Sequence, residues 1–385
     1  MKRSTYSRIL LIFSILMLTL ALSGCTTPAE GKLKAGFIYV GPIGDYGWTN
    51  AHDVGRLFVE NKYDWLETEY LETVGEDIAS VKEAADTLIT VKGCDVIFTT
   101  SFGFMDGTIE AATEHPETLF FHCSGYKRAV NVGTYFADLY QMYYLNGMMA
   151  GYLSNTTKAG YVGAFPIPEV IRHINAFTLG MKAANNDSTV EVTWINSWYD
   201  PTAATSAANA LIGKGIDMLA FTEDSPAVMQ AAEAEDDVYA FSHYSPMQEY
   251  APQSTISGQL VHWEIMYDDI LSKVHDGTYN STNLASVDYL WFLKEGAVEL
   301  GGNFNVPINP IFVPELQSIT VDSTTSYNFI MTKHDQMEAE TFFPFTGPIY
   351  AQNGTLMFAS GVQATIADLF TYMDWFVDGV IGIPG

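Results

Sequence analysis

Over the first 270 positions, short apolar runs rich in β-branched and aromatic residues alternate with stretches in which apolar residues recur at helical spacing. "KAGFIYV" leads into a predicted helix near Thr49–Asn61, "TEYLETV" into one near Asp77–Val91 and "CDVIFTT" into one near Asp106–Glu114, with "TLFFHCS" as the next strand. Alternation of this kind specifies a doubly wound α/β sheet of parallel strands.

The pattern is written twice. "KAGFIYVGP" (34–42) returns as "KAGYVGAFP" (158–166), and "KGCDVIFTTS" (92–101) returns as "KGIDMLAFTE" (214–223), at offsets of 124 and 122 residues. Two copies of one α/β unit, joined near Asn155–Lys158, predict two similar doubly wound parallel-sheet lobes connected by a hinge. The first lobe is expected over 33–155 with part of 245–310 crossing back, and the second over 158–244 with part of 310–385. Between the copies, Leu139, Met142, Leu145, Met149 and Leu153 recur at helical spacing in "FADLYQMYYLNGMMAGYL", a helix that carries the chain to the second lobe with its stripe in the core. Beyond Tyr244 the pattern loosens into a strand near Ser254–Val261, a helix near Ile265–His275, a Pro-interrupted stretch from Gly301 to Pro314, and a hairpin turning at Asn353-Gly354.

The N-terminus sets the compartment. Lys2, Arg3 and Arg8 precede an apolar run, Ile9–Leu22, that closes on Leu22-Ser23-Gly24-Cys25. At about 14 residues the run is shorter than the roughly 20 that span a bilayer, and small residues before a cysteine suit a lipoprotein signal. Residues 1–24 are therefore expected to be removed, Cys25 to carry a lipid anchor, residues 25–32 to form a tether, and the mature chain to sit on the cell membrane facing the extracytoplasmic side. Loss of the leader's three cations takes the formal charge from -27 to -30. Such a surface excludes nucleic acid as a partner and offers no basic patch to anionic lipid. The remaining cysteines, Cys94 and Cys123, fall at opposite ends of adjacent predicted strands, too far apart for a disulfide.

Open parallel sheets bind ligands beyond the carboxyl ends of their strands, so two facing copies bring six loops to one cleft: 41–53, 73–77, 101–106, 165–169, 198–201 and 223–226. These loops are rich in aromatic rings and carboxylates and nearly devoid of basic residues. Candidate ligand contacts are Gly44, Asp45, Trp48, Phe102, Phe104, Asp106, Phe165, Glu169, Trp198 and Asp224, with Trp263 from the later crossing region. Gly41-x-x-Gly44-x-x-Gly47 is not the dinucleotide glycine pattern, and a phosphate or carboxylate ligand would want cations. Rings that stack, beside carboxylates that accept N–H or O–H bonds, fit a purine base, a nucleoside or a sugar. Some positions carry two readings: Trp198 lines the cleft or caps a core, one of Phe102 and Phe104 packs while the other faces the ligand, and Asp106 and Asp224 bind ligand or begin helices. His52-Asp53 reads as a polar pair in a helix's first turn rather than a catalytic dyad, and the eight histidines are scattered without zinc spacing. No catalysis, metal or cofactor is expected.

Taken together, "GFIYVGPIGDYGWTNAHDVGR", "IFTTSFGFMDGTIEAA", "AGYVGAFPIPEVIRHINAFTLGMKAAN", "VTWINSWYDP" and "FTGPI" resemble the basic-membrane-protein or purine-nucleoside-receptor family of ABC-transporter solute-binding lipoproteins, over essentially the whole mature chain. The resemblance implies a type I periplasmic-binding-protein fold, a small-molecule ligand between the lobes, an ABC permease and ATPase as partners, and action as a monomer. It is nearest the branch associated with free purine bases such as adenine. It implies Trp48 and a Phe at 102 or 104 as stacking faces, with Asp45, Asp106, Trp198 and Asp224 around the ligand. Two positions depart from the family's pattern. Nucleoside-binding members carry an Asp-x-Ser-Phe-Asn-like first loop, where this chain has Asp45-Tyr46-Gly47-Trp48-Thr49, and an acid precedes the later tryptophan in base-binding relatives, where this chain has His262. A membrane-anchored sensor of the same ligand is the alternative, since both roles need a clamp that closes.

Overall fold

The computed structural model describes residues 31–385; the leader, Cys25 and most of the tether lie outside the described residues. β1 (Leu33–Ile38), α1 (Trp48–Lys62), β2 (Leu66–Leu71), α2 (Ile78–Asp86), β3 (Val96–Thr99), α3 (Met105–Glu114), β4 (Leu119–Cys123) and β5 (Val132–Ala137) build the first lobe. The chain crosses at Asp138-Leu139 into α4 (Tyr140–Leu153). The same alternation follows with β6 (Lys158–Gly163), α5 (Pro168–Ala184), β7 (Thr189–Trp194), α6 (Pro201–Ile212), β8 (Met218–Thr222), α7 (Ala227–Glu233), β9 (Tyr239–Tyr244) and β10 (Thr255–Val261).

The repeat is structural as well as textual. Strands run β2-β1-β3-β4-β5 in the first sheet and β7-β6-β8-β9-β10 in the second. Ala35 pairs with Val96 in one and Ala159 with Met218 in the other, the same pair displaced by the two sequence offsets. Side chains buried on both faces explain why strands such as β3, β4 and β8 read as continuous apolar runs.

After each repeat the chain swaps lobes. α4 leaves β5 but packs on α5 in the second lobe, which corrects the expected boundary at residue 155: the first lobe's opening segment ends at Asp138. The reason is glycine. A Cβ on Gly147 would lie 2.0 Å from the Phe177 carbonyl oxygen, and one on Gly180 would lie 1.9 Å from that of Tyr144, so the two backbones touch and α4 is buried on nearly all sides. Reciprocally, α8 (Trp263–His275) leaves β10 at His262 and packs on α1 of the first lobe. β11 (Asp288–Trp291) then joins β5 in the first sheet, and the chain crosses a third time to β12 (Val298–Leu300), antiparallel to β10 in the second. Three crossings therefore make the hinge.

The remaining chain wraps the second lobe: α9 (Val313–Ser318), a β13–β14 hairpin (Thr320–Val321, Thr324–Thr325), α10 (Ser326–Glu338), a β15–β16 hairpin (Ile349–Tyr350, Leu356–Phe358), α11 (Ile366–Phe370) and β17 (Val380–Ile381), which extends the second sheet beside β7. Gly354, at φ 81°, makes the turn expected at Asn353-Gly354. At the first crossing, fully buried Asp138 is held by Arg172 of α5, whose Nε donates to Oδ2 at 2.8 Å. The Arg172 guanidinium also donates to the Leu369 carbonyl at 2.9 Å and lies over the Phe370 ring at 3.8 Å. Cys94 and Cys123 are buried and unbridged; the first precedes β3 and the second ends its parallel neighbour β4.

Candidate functional site

The carboxyl ends of the two sheets face each other across a narrow, partly open cavity with room for water of about 20 Å³. The first lobe contributes Val40, Trp48, Ser101, Phe102 and Ser124 to its wall, and the second contributes Glu169, Trp198, Asp224 and Tyr244. The lobes touch directly beside it: Ser245 Oγ donates to the Gly47 carbonyl at 3.1 Å, and a Cβ placed on Gly47 would lie 2.7 Å from Asp224 Cα.

Trp48 opens α1 because Asp45 organises the turn before it. The Asp45 carboxylate accepts from the backbone N–H groups of Gly47 and Asn50 through Oδ1 and of Thr49 through Oδ2, at 2.8–2.9 Å. This is the work of a helix N-terminus cap, and it spends the oxygens that the sequence assigned to a ligand. Burial pushes the Asp45 carboxyl up to about 6 even against those bonds. The Trp48 indole N–H donates to the Thr100 carbonyl, and its ring stands edge-on to those of His52, Tyr244 and Trp263. Trp263 is fully buried behind Trp48, stacked on His52 at 4.2 Å; it supports the wall instead of forming it.

Phe102 lines the cavity, while Phe104 is fully buried in the core under α2 and α3. Asp106 is neither a cap nor a wall residue: its exposed carboxylate pairs with Lys127 on the surface. Gly44 lies in the exposed bend before Asp45. In the second lobe, Trp198 lines the cavity and accepts the Asp224 backbone N–H at 2.7 Å, and Phe165 packs against it at 5.1 Å without reaching the wall. His262, at the second crossing, is held between Glu264 at 2.7 Å and Glu299 at 2.8 Å, away from the cavity.

The acids decide what the cavity can hold. Glu169 lies in the first turn of α5 and takes the Tyr244 hydroxyl at 3.3 Å; burial raises its carboxyl to about 7, against the opposing pull of Arg172. Asp224 follows β8, buried, with Oδ1 lacking any partner. Burial pushes its carboxyl well up, and the charges of Asp45, Glu223 and Glu169 push the same way. Buried Glu223 likewise keeps one oxygen free, the other taking the Ser225 hydroxyl at 3.0 Å. A buried acceptor without a donor costs about 1–3 kcal/mol, so a ligand that brings N–H or O–H groups relieves a standing penalty. Among the described residues, the set of His, Asp and Glu close enough to hold a metal is His334, Asp335 and Glu338 on α10, none of which lines the cavity.

Val40, Ser101, Ser124 and Tyr244 are wall residues that sequence reasoning missed. Val40 lies one residue before the 41–53 window, Ser101 lies inside 101–106 but carries neither a ring nor a charge, and Ser124 and Tyr244 follow or end β4 and β9, two strands whose ends were not counted among the six loops. Phe102, Ser124 and Glu169 also border a second, wider space of about 430 Å³ toward the hinge, with Ile366 and Phe370 of α11 on its far side.

Comparison with known proteins places this geometry. The family described as ABC transporter substrate-binding protein PnrA-like matches residues 32–326. A purine-binding protein of Brucella abortus is 36% identical over 93% of this chain and 95% of its own length. A protein of Haloferax volcanii, whose name proposes glucose binding for an ABC transporter, is 38% identical over 66% of this chain and 64% of its own. An ABC-transporter solute-binding protein structure from Aeropyrum pernix overlays with a TM-score of 0.67 at 16% identity, covering 80% of this chain and 92% of the other, a likeness of fold.

Proposed function

The chain belongs to the PnrA-like family of ABC transporter substrate-binding proteins, and from that premise we propose that it captures a purine base, adenine above others, between its closing lobes. It is an extracytoplasmic solute-binding protein and not an enzyme. We further propose that Cys25 is lipidated, that the chain works as a monomer, since one chain completes the cavity, and that the loaded form delivers its purine to a permease and ATPase.

The observation that carries the purine reading is the unpartnered buried Asp224 Oδ1 in a cavity walled by Trp48, Phe102 and Trp198 and lacking any basic side chain. Aromatic walls favour a flat ring, with about 1–3 kcal/mol from stacking a base. Stacking does not choose among bases. The choice falls to the acceptors, Asp224 and Glu169, which favour a ring rich in N–H donors, as adenine and guanine both are; the preference for adenine rests on the resemblance to the base-binding branch. The Brucella relative, named for purine binding, supports the same reading.

Carboxylates beside tryptophan also suit a sugar, and the name of the Haloferax relative keeps that reading in view. A thermal-shift and calorimetric panel of adenine, guanine, hypoxanthine, their nucleosides and glucose separates the two. The strongest response is expected from adenine. A response to glucose with none to any purine overturns the proposal.

A further inference from the structure

Tyr244 closes β9 in a backbone conformation that an aromatic residue rarely adopts, with φ at 61°. The Ser245 N–H reaches back to the His243 carbonyl at 2.8 Å, so the chain turns about Tyr244 alone. A turn closed in this way with positive φ at its centre is the rare, strained form of the γ-turn. Glycine would make it without strain, yet the position carries a bulky, buried side chain. Strain kept under such a side chain points to what the side chain reaches.

Tyr244 reaches both halves of the clamp. Its hydroxyl donates to Glu169 Oε1 at 3.3 Å in its own lobe, and its ring stands edge-on to that of Trp48 in the first lobe at 4.9 Å. Ser245, the next residue, donates to the Gly47 carbonyl across the seam. The counterpart at the end of β4, Ser124, also has a left-handed backbone, φ 59°, and also lines the cavity, but with a small side chain. We propose that Tyr244 is a positioning residue for the ligand: its hydroxyl aims the Glu169 carboxylate into the cavity and its ring sets the plane of Trp48, so that one side chain registers the acceptor of one lobe with the stacking face of the other. The proposal rests on the reading of Glu169 as an acceptor of ligand N–H groups.

Glu169 lies among the charges of Arg172 on its own helix, Asp138 at the first crossing and Asp224 after β8, while Tyr143 of α4, Tyr161 of β6 and Cys123 of β4 face it. Burial raises its carboxyl, Arg172 opposes the rise, Asp138 adds to it, and the Tyr244 hydroxyl lowers it by bonding to the ionised form. Removing that hydroxyl therefore moves the carboxyl up, and the pH below which affinity falls moves up with it.

The test is calorimetry of the purified chain with adenine from about pH 5 to pH 9. Tyr244→Phe is expected to raise the midpoint of the affinity profile by about half a pH unit, a hydrogen bond of ordinary strength being worth up to about one. A ring that only fills space would leave the midpoint where it is. In a Glu169→Gln background the same change should shift nothing. Tyr244→Asn, whose side chain tolerates left-handed backbone but withdraws the ring from Trp48, is expected to weaken adenine at least about fivefold across the whole range. An unmoved midpoint in Tyr244→Phe overturns the proposal, as does an equal shift in the Glu169→Gln background, which would assign the titration to Asp224 or Glu223. Wild-type affinity in Tyr244→Asn overturns the part played by the ring. If adenine fails to bind wild type, the purine reading fails alone, and the same comparisons run with whichever solute of the panel raises the melting temperature.

Discussion

Gly47→Ala isolates closure from every other property of the site. In the closed form the added Cβ would sit 2.7 Å from Asp224 Cα, 2.9 Å from its carbonyl carbon and 3.1 Å from its carbonyl oxygen. Ordinary carbon contacts lie at about 3.5–4.0 Å. All three obstructing atoms are backbone, so no rotamer change clears the clash and the lobes must stop about 1 Å short. A ligand hydrogen bond to Asp224 stretched by that amount, from about 2.9 Å, is lost. Leaving a buried acceptor unsatisfied costs about 1–3 kcal/mol, so Kd should rise roughly 5- to 150-fold. The obstruction exists only between lobes. The unliganded melting temperature should therefore stay near wild type while the ligand-induced rise shrinks, and small-angle scattering should show less compaction on adding adenine. Wild-type affinity with full compaction would refute the reasoning that Gly47 is small so that the lobes can meet.

Three more changes probe other parts of the clamp. Trp48→Ala should weaken adenine by about 1–3 kcal/mol if the ring stacks, read by calorimetry, and unchanged affinity would remove Trp48 from the contact. Ionised Glu169 accepts an N–H more strongly than its neutral carboxyl, and that carboxyl is raised to about 7; affinity should hold above pH 7 and fall below it, by at most about tenfold per pH unit. Glu169→Gln should flatten that window, and a persistent fall would assign the proton elsewhere. Asp138→Asn strips the buried Arg172 of its counter-charge, which should cost about 3–5 kcal/mol of stability in urea unfolding; a cost under about 1 kcal/mol would show that the first crossing does not depend on the pair.

The fold was legible because periodicity and repetition are local properties of the chain. The two "KAG" strands and the two "KG-D" strands fixed the equivalence that the pairings Ala35–Val96 and Ala159–Met218 express in space. That the 139–153 helix leads to the second lobe and that later chain crosses back was legible, but where each segment packs was not: α4 lies wholly against α5 because Gly147 and Gly180 bring the two backbones together, and α8 lies against α1. At the site, residue type indicated aromatic rings and acids but not the direction each side chain takes. Asp45 and Asp224 look alike in sequence, yet one is consumed by the N–H groups of α1 and the other keeps a buried oxygen free. Phe102 and Phe104 divide between wall and core because a 3-10 turn at Phe102–Phe104 separates their directions. Tyr244 was passed over because it closes a strand instead of sitting in a loop.

A crystal structure of the purified chain grown with adenine tests the central claim most directly. The expected result is the base inside the cavity, its ring against Trp48 or Phe102 and an N–H within about 2.7–3.2 Å of Asp224 Oδ1. A base seated only in the wider hinge-side space, or lobes shut over the cavity with Asp224 still unpartnered, would contradict it.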